Sequence, residues 1–191
     1  HPYGAERIAN DLGKIRIIIL LRDPVARTLS HYAHAYRHCF ETLPLEQALA
    51  METSRLSGAD NVLKLSDGKH QQHQECSYLN RSLYRMQVNR YWECFGRENV
   101  LILPCERVFS RPWPVWKKIC AFLNVSMISK PPRSMLRAHK NQGVSIRAQD
   151  LVQRLRHELT DSYQFASDEL GWDTSIPWLW LETGGFFRGH F

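Results

Sequence analysis

Arg22 and Ser30, eight residues apart, are the side chains best suited to bind a compact dianion. Arg22 follows an apolar run, and Ser30 lies two turns into the polar, helix-like segment after it. A guanidinium can grip a phosphate with two parallel hydrogen bonds, and a hydroxyl on the adjoining helix can donate another. The spacing therefore predicts a phosphate site. The alternative is that Arg22 only ends the strand while Asp23 and Arg27 pair along the helix.

The elements that must position this pair predict an α/β fold. Lys14–Leu21 is a continuous, mostly β-branched run, typical of a strand buried on both faces of a parallel sheet. Asp23 is a good helix N-cap and Pro24 a good first residue, so a helix should run from Pro24 to about Cys39. Ligands of open α/β sheets bind beyond the carboxyl ends of the strands, where Arg22 falls.

The rest of the chain alternates helices and loops around one more strand, Asn99–Leu103. Further helices are predicted at Tyr3–Leu12, Pro44–Glu52, Tyr78–Phe95, Pro112–Leu123 and Ala148–Leu170. Irregular structure is predicted at Thr53–Ser77, Asn124–Arg147 and Gly171–Phe191. In Pro112–Leu123 the residues expected to face inward are Trp113, Trp116, Ile119, Cys120 and Leu123, with Phe122 also assigned to the core. This order of elements indicates a single α/β domain with a parallel sheet.

Composition narrows the class of partner. The net charge of +6 and the pI of about 9.2 favour anionic partners such as phosphates, nucleic acid or an acidic glycan. Nucleic acid ranks well below the others because no motif interleaves arginines with aromatic residues. No apolar stretch approaches the roughly 18 residues of a membrane span. The five cysteines include no CxxC pair, which favours a reducing compartment such as the cytoplasm.

The segment "ILLRDPVARTLSHY" resembles the 3′-phosphate-binding motif of sulfotransferases that use 3′-phosphoadenosine-5′-phosphosulfate (PAPS). In that family an arginine at the strand end and a serine eight residues later bind the 3′-phosphate, which implies that role for Arg22 and Ser30. The segment from "SLYRM" to "CAFLNV" is similar to the family's second half, with an acidic turn at Cys105–Arg107. Tyr84 matches a position where the family places an aromatic residue against the adenine of the cofactor. Lys140, in "HKNQGVSIRAQ", matches a late basic loop that closes over the cofactor.

The resemblance is incomplete at its beginning. Family members open with a strand and a phosphate-binding loop that holds the 5′-phosphosulfate, but no glycine-rich loop with Lys-Ser/Thr precedes a helix here. Gly13-Lys14 leads into a strand, and Gly68-Lys69 lies in a polar loop. The expectation is therefore one sulfotransferase domain, residues 1–191. Its parallel sheet would resemble that of P-loop NTPases and would be flanked by helices. The domain would lack the N-terminal strand and the phosphate-binding loop.

The resemblance implies transfer of a sulfuryl group from PAPS to a hydroxyl or amine, with carbohydrate as the favoured acceptor and no metal. In that family the catalytic base is a glutamate or histidine ahead of the strand that matches Lys14–Leu21, which implies His1 as the candidate here, with a residue upstream of the chain as the alternative. Two other functions stay open: a catalytically degenerate anion-binding or interaction domain, and a nucleotide-dependent kinase of related fold. A Golgi enzyme with its anchor outside this chain is the alternative to a cytoplasmic one.

Two histidine groups could suggest a metal site. One is a helical series, His31, His34 and His38, and the other is His70-x-x-His73-x-x-Cys76 in the polar loop. The first lacks carboxylate partners and the second lacks a clear fourth ligand, so neither is assigned to a metal. By position alone, Lys69, His70 and His73 could meet the acceptor. The basic segment Lys130–Lys140 could contact the acceptor or the cofactor, or be a solvated loop.

Overall fold

A parallel pair of strands organises the protein. The computed structural model describes residues 1–65, 67–127, 130–132 and 149–175. Within them, β1 (Ile17–Leu21) pairs in parallel with β2 (Val100–Pro104), in register from Ile17 opposite Val100 to Leu21 opposite Pro104. The expected mixed α/β class with a parallel sheet is confirmed.

Helices surround the two strands. They are α1 (Gly4–Leu12), α2 (Pro24–Arg37), α3 (Leu45–Arg55), α4 (Ala59–Leu63), α5 (Gln71–Glu75), α6 (Tyr84–Phe95), α7 (Cys105–Ser110), α8 (Pro112–Leu123), α9 (Gln149–Glu158) and α10 (Thr160–Asp168). Short 3₁₀ turns at Asn80–Ser82 and Arg97–Asn99 precede α6 and β2.

The beginning of α2 follows from its local sequence. Asp23 caps the helix, its carboxylate oxygen Oδ1 accepting the Ala26 N–H at 2.8 Å, and Pro24 occupies the first turn. This satisfies a backbone donor that the helix itself leaves unpaired. The predicted start at Pro24 is confirmed. The helix ends at Arg37, two residues short of the prediction, and Cys39 takes a left-handed φ of 59°.

Three hydrophobic clusters fill the interior of the part of the chain that the structure describes. The largest joins α2, α3 and α9 around Tyr78, and a second joins α1, α6 and α10 to one face of both strands. A third lies on the other face of β2, against α7 and α8. Strand β2 is therefore covered on both faces, and α2 is anchored along its length by the first cluster.

The prediction that β1 is buried on both faces is wrong for the described residues. Ile17, Ile19 and Leu21 face the second cluster, whereas Ile18 is 37% exposed and Leu20 51% exposed. Burial alternates because α8 packs over β2 and no described helix covers the corresponding face of β1. The continuous apolar pattern cannot show which face receives a helix.

The prediction that the segment Thr53–Ser77 is irregular is wrong in part. Helix α3 extends to Arg55, and α4 and α5 follow as helices of five residues each. Isolated helices this short are unstable in water, so tertiary contacts must hold them. Such a contact joins α4 to α1, because the Arg7 guanidinium donates to the Leu63 carbonyl at 2.9 Å.

Two helix predictions and one turn prediction also need correction. The helix expected at Tyr78–Phe95 begins only at Tyr84, and the acidic turn at Cys105–Arg107 is the first turn of α7. The helix expected at Ala148–Leu170 is interrupted at Leu159, where the Thr160 hydroxyl donates to the His157 carbonyl at 2.7 Å. Such side-chain hydrogen bonds compete with the helical ladder.

The inward face of α8 is rotated from the predicted one. Trp113 is 49% exposed and Leu123 37%, and the buried residues are Val115 and Cys120. Trp116, Ile119 and Phe122 are half-buried. The helix packs on Leu103 of β2 and Val108 of α7 through Val115, which sets the face that is covered.

Candidate functional site

Arg22 lies where the sequence predicts, directly after the carboxyl end of β1. Its guanidinium is half-buried, and Nε lies 3.9 Å from Oε1 of Glu106, a residue in the first turn of α7. The Asp23 backbone N–H donates to the same Glu106 oxygen at 3.3 Å. We call this group, Arg22 with Asp23 and Glu106, the strand-end corner.

Tyr84 fixes the corner from the side of α6. The side chain is 2% exposed, and its hydroxyl donates to the Arg22 carbonyl at 2.8 Å. Burial raises the pKa of this phenol above its ordinary value, so the hydroxyl stays a proton donor. Tyr84 therefore holds the backbone of Arg22 in place, and its contact with an adenine stays a prediction.

Ser30 is the seventh residue of α2 and is half-buried. The structure places it on the helix that begins at the corner, as the sequence predicts. Arg22 and Ser30 thus belong to one strand–helix unit with a fixed start at Asp23. That their side chains converge on one phosphate stays a prediction.

The two carboxyls of the corner are buried and electrostatically unusual. Asp23 is 4% exposed, and burial raises its pKa although the Tyr163 hydroxyl donates to Oδ2 at 2.9 Å. Burial also raises the pKa of Glu106 to about 7, against the lowering effect of hydrogen bonds and of Arg22. The second oxygen of Glu106 has no hydrogen-bond partner among the described residues. The sequence suggested an acidic turn here but not this burial.

A second region is a cleft of about 200 Å³ between α1, α2, α5 and α6, where the candidates His1 and His73 lie beside arginines that the sequence did not bring together. Its charged lining is entirely basic within the part of the chain that the structure describes. The cationic or titratable residues of this basic cleft are His1, Arg27, His73, Arg81 and Arg90. Its neutral lining includes Asn80, Gln87 and Tyr91. A cleft of this charge is suited to bind an anionic group.

Neutral oxygens hold the arginines of the basic cleft. Arg27 Nε donates to the Arg81 carbonyl at 3.0 Å, and Arg90 Nη1 donates to the Pro2 carbonyl at 3.1 Å. Arg81 donates to the Ser77 hydroxyl at 2.9 Å and to the Gln74 carbonyl at 2.9 Å. Across residues 1–65, 67–127, 130–132 and 149–175, no carboxylate forms an ion pair with these three guanidiniums.

Glu52 supports the turn that carries Arg81. This carboxylate is 4% exposed and accepts the backbone N–H groups of Leu79 and Asn80, both at 2.8 Å. This residue was not predicted from the sequence, although its spacing from Ala48 and Leu49 puts it on the apolar face of α3, where an acid needs a partner. Glu41, which was also missed, accepts from Arg55 and from the Tyr78 hydroxyl.

His1 lies in the basic cleft, which brings the candidate base close to Arg27, Arg81 and Arg90. Its Nδ1 accepts the Tyr3 backbone N–H at 3.2 Å. A neutral ring in this arrangement carries its proton on Nε2, so it can take a second proton only by breaking that hydrogen bond. His1 as base stays a prediction. Lys140 lies outside the described residues.

The two histidine groups are dispersed. His31 packs edge-on against Tyr78, with ring centroids 5.0 Å apart, whereas His34 and His38 are exposed neighbours. His70 accepts the His73 N–H at the start of α5, and Cys76 is buried. In the described ranges no group of three His, Cys, Asp or Glu side chains is arranged to hold a metal ion.

Among the same residues no helix is long and apolar enough to cross a membrane.

Comparison with known proteins places this geometry in a family. Residues 10–165 match the model of the sulfotransferase domain. The structure is similar to that of a sulfotransferase from Alicyclobacillus acidocaldarius, with a TM-score of 0.67 and 27% sequence identity. The match covers 93% of this chain and 62% of that protein, so the chain spans less than two thirds of its relative's length. Because the domain model covers well over half of its residues, the chain belongs to the sulfotransferase domain family.

Proposed function

We propose that this protein transfers a sulfuryl group from PAPS to a hydroxyl or amine of an acceptor molecule. The observation that carries the proposal is one arrangement inside a sulfotransferase domain: Arg22 of the strand-end corner directly follows β1, and Ser30 lies on the helix that begins beside it. Members of this family generally use PAPS as donor. Arg22 and Ser30 would bind the 3′-phosphate of the nucleotide by charge-assisted hydrogen bonds.

The roles of these residues are in binding and orientation. In the transfer the acceptor oxygen or nitrogen bonds to sulfur, the bond between sulfur and the phosphate oxygen breaks, and adenosine 3′,5′-bisphosphate leaves with that electron pair. The acceptor proton passes to a base, for which His1 is the candidate in this chain. Holding donor and acceptor in line, and stabilising the charge that develops, supplies most of the catalysis in the related phosphoryl transfer.

Three finer points belong to the same proposal. Carbohydrate is the proposed acceptor, supported by the resemblance of "RDPVARTLSHY" to the motif of glycan and bacterial sulfotransferases. The loop that binds the 5′-phosphosulfate is expected outside these 191 residues, which stays a prediction. A reducing compartment, the cytoplasm, is proposed because all five cysteines are free.

The test compares three nucleotides by thermal unfolding of the protein. Adenosine 3′,5′-bisphosphate should raise the melting temperature, whereas adenosine 5′-monophosphate and ATP, which lack the 3′-phosphate, should raise it much less. Equal shifts with all three would contradict the proposed donor. Radiolabelled PAPS with a mixed glycan pool then tests transfer. Binding without transfer to any acceptor would favour the degenerate binding domain.

A further inference from the structure

The basic cleft concentrates positive charge that the proposed donor site does not use. Neither Arg22 nor Ser30 nor Tyr84 lines it. It lies next to the corner nevertheless, because α2 carries both Ser30 and Arg27, and α6 begins at Tyr84 and carries Arg90. A ligand in the cleft would therefore be a neighbour of the nucleotide.

The arginines of the cleft keep their charge available. All their hydrogen bonds to described residues use carbonyl or hydroxyl oxygens, which orient a guanidinium without neutralising it. Arg81 is half-buried, and burial together with the nearby charge of Arg27 lowers its pKa. Burial, with Arg81 as the next cause, lowers the pKa of His73 to about 4. Like charges crowded in this way are relieved when an anion binds among them.

The positions of these charges are fixed in advance. Arg81 is tied to Ser77 and Gln74, and the buried Glu52 carboxylate holds the turn on which it sits. The Arg27 guanidinium is tied to the backbone carbonyl of Arg81, which links two arginines from separate elements. A site organised before binding loses less conformational entropy when its ligand arrives.

We propose that the basic cleft binds an anionic group of the acceptor, a carboxylate or a sulfate, and so selects acidic acceptors. The inference rests on the proposed function, in which the nucleotide occupies the strand-end corner. Guanidiniums match the planar carboxylate and the tetrahedral sulfate with paired hydrogen bonds. The acceptor class would be acidic saccharides or other anionic molecules whose charge lies beside the hydroxyl or amine to be sulfated.

The test uses Arg90→Gln, with Arg85→Gln as the matched control on the same helix. Arg90 lines the cleft and has a single hydrogen bond to the residues described, to Pro2, whereas Arg85 pairs with Asp161 outside the cleft. With adenosine 3′,5′-bisphosphate saturating, each protein is titrated with sodium sulfate at constant ionic strength and melting is followed. The same titrations with 4-nitrophenyl glucuronide and 4-nitrophenyl glucoside isolate the effect of one carboxylate.

The parent protein and Arg85→Gln should respond alike to sulfate and should bind the glucuronide more tightly than the glucoside. Arg90→Gln should need about tenfold more sulfate or glucuronide for the same shift, the size expected for one lost charge-assisted contact. Arg90→Lys, which keeps the charge, should fall between them. Affinities for adenosine 3′,5′-bisphosphate and for PAPS should be unchanged by Arg90→Gln.

Three results would overturn the inference. Equal responses of Arg90→Gln and the parent to both anions would mean that the cleft holds no anion. A glucuronide that binds no better than the glucoside would remove the selection of acidic acceptors. Weaker binding of PAPS, but not of the bisphosphate, would assign the cleft to the sulfuryl group of the donor. If the bisphosphate itself fails to bind, the proposed function is wrong, and the sulfate titration without nucleotide still tests the cleft.

Discussion

The strand-end corner and the basic cleft both present arginines, but the groups that face those arginines differ. At the corner, Arg22 lies beside Glu106 and precedes Asp23, so its positive charge has two carboxyls nearby. In the cleft, Arg27 and Arg90 face only neutral partners among the described residues. The corner is therefore nearly balanced in charge, whereas the cleft keeps a positive field.

This difference separates two ways of binding an anion. A guanidinium next to a buried carboxyl has part of its charge offset, and an anionic ligand must compete with that carboxyl for it. A cluster of guanidiniums held by carbonyl groups attracts any anion of suitable size. Under the proposed function, the corner binds the 3′-phosphate of the nucleotide and the cleft selects a class of charged acceptor.

Removing Arg22 should produce the largest effect and should be confined to the corner. Arg22→Ala is expected to weaken binding of adenosine 3′,5′-bisphosphate by about a thousandfold, or about 4 kcal/mol, as for a desolvated charge pair that loses one partner. Isothermal titration calorimetry gives the affinity. Arg16→Ala is the matched control, because Arg16 is exposed just before β1. A loss below tenfold in Arg22→Ala would remove Arg22 from the phosphate site.

Glu106 should make the stability of the corner depend on pH. Its folded-state pKa of about 7 lies above the ordinary value of 4.5, so the folded protein holds this proton more tightly than the unfolded chain. The resulting stabilisation is complete below pH 4.5 and is lost as the pH rises to about 7. The Glu106→Gln variant lacks this titrating carboxyl. Its free energy of unfolding, taken relative to that of the parent protein, should therefore rise by about 3 kcal/mol from pH 4.5 to pH 7.

Urea unfolding of both proteins at matched pH values tests this expectation. His31 and His73 titrate in the opposite sense, since their pKa values are lowered to about 4 and their neutral rings become costly to keep as the pH falls from 6.5. Both histidines remain in Glu106→Gln, so their contribution cancels in the difference between the two proteins. Parallel stability curves from pH 4.5 to 7 would show that Arg22 fully offsets the burial of Glu106.

The corner was predictable and the cleft was not, for a physical reason. The strand, the Asp23 cap and the helix start at Pro24 are local features, encoded within a few adjacent residues. The cleft assembles Arg27, Arg81 and Arg90 from three elements, and neither its charges nor their spacing form a local pattern. The short helices α4 and α5 were missed for a similar reason, because long-range contacts stabilise them.

The buried acid Glu52 was also not predicted, because its partners are distant in the sequence. Glu52 accepts its hydrogen bonds from the backbone of a turn 27 and 28 residues later. Only a folded chain shows that an acid on the apolar face of α3 supports the cleft rather than interrupting the core. The exposed face of β1 likewise depends on where α8 packs, which the composition of the strand does not record.

Glu52 offers a test on the side of the cleft. Glu52→Ala leaves the N–H groups of Leu79 and Asn80 without their acceptor and should destabilise the protein by about 2 kcal/mol in urea unfolding. By loosening the turn that carries Arg81, it should weaken sulfate binding with nucleotide saturating and leave nucleotide affinity unchanged. Glu46→Ala, an exposed acid in the first turn of α3, should change stability by less than about 0.5 kcal/mol. A parallel loss of nucleotide affinity in Glu52→Ala would show that the two regions are coupled.

Ser30 should give the smallest effect, because one neutral donor contributes less than a guanidinium. Ser30→Ala is expected to weaken adenosine 3′,5′-bisphosphate about tenfold and to leave adenosine 5′-monophosphate unaffected. Ser54→Ala, on α3, is the control for loss of a helical serine hydroxyl. If Ser30→Ala weakens both nucleotides equally, the hydroxyl does not contact the 3′-phosphate. Arg22 would then bind that phosphate without Ser30, and the corner would resemble the cleft in relying on charge alone.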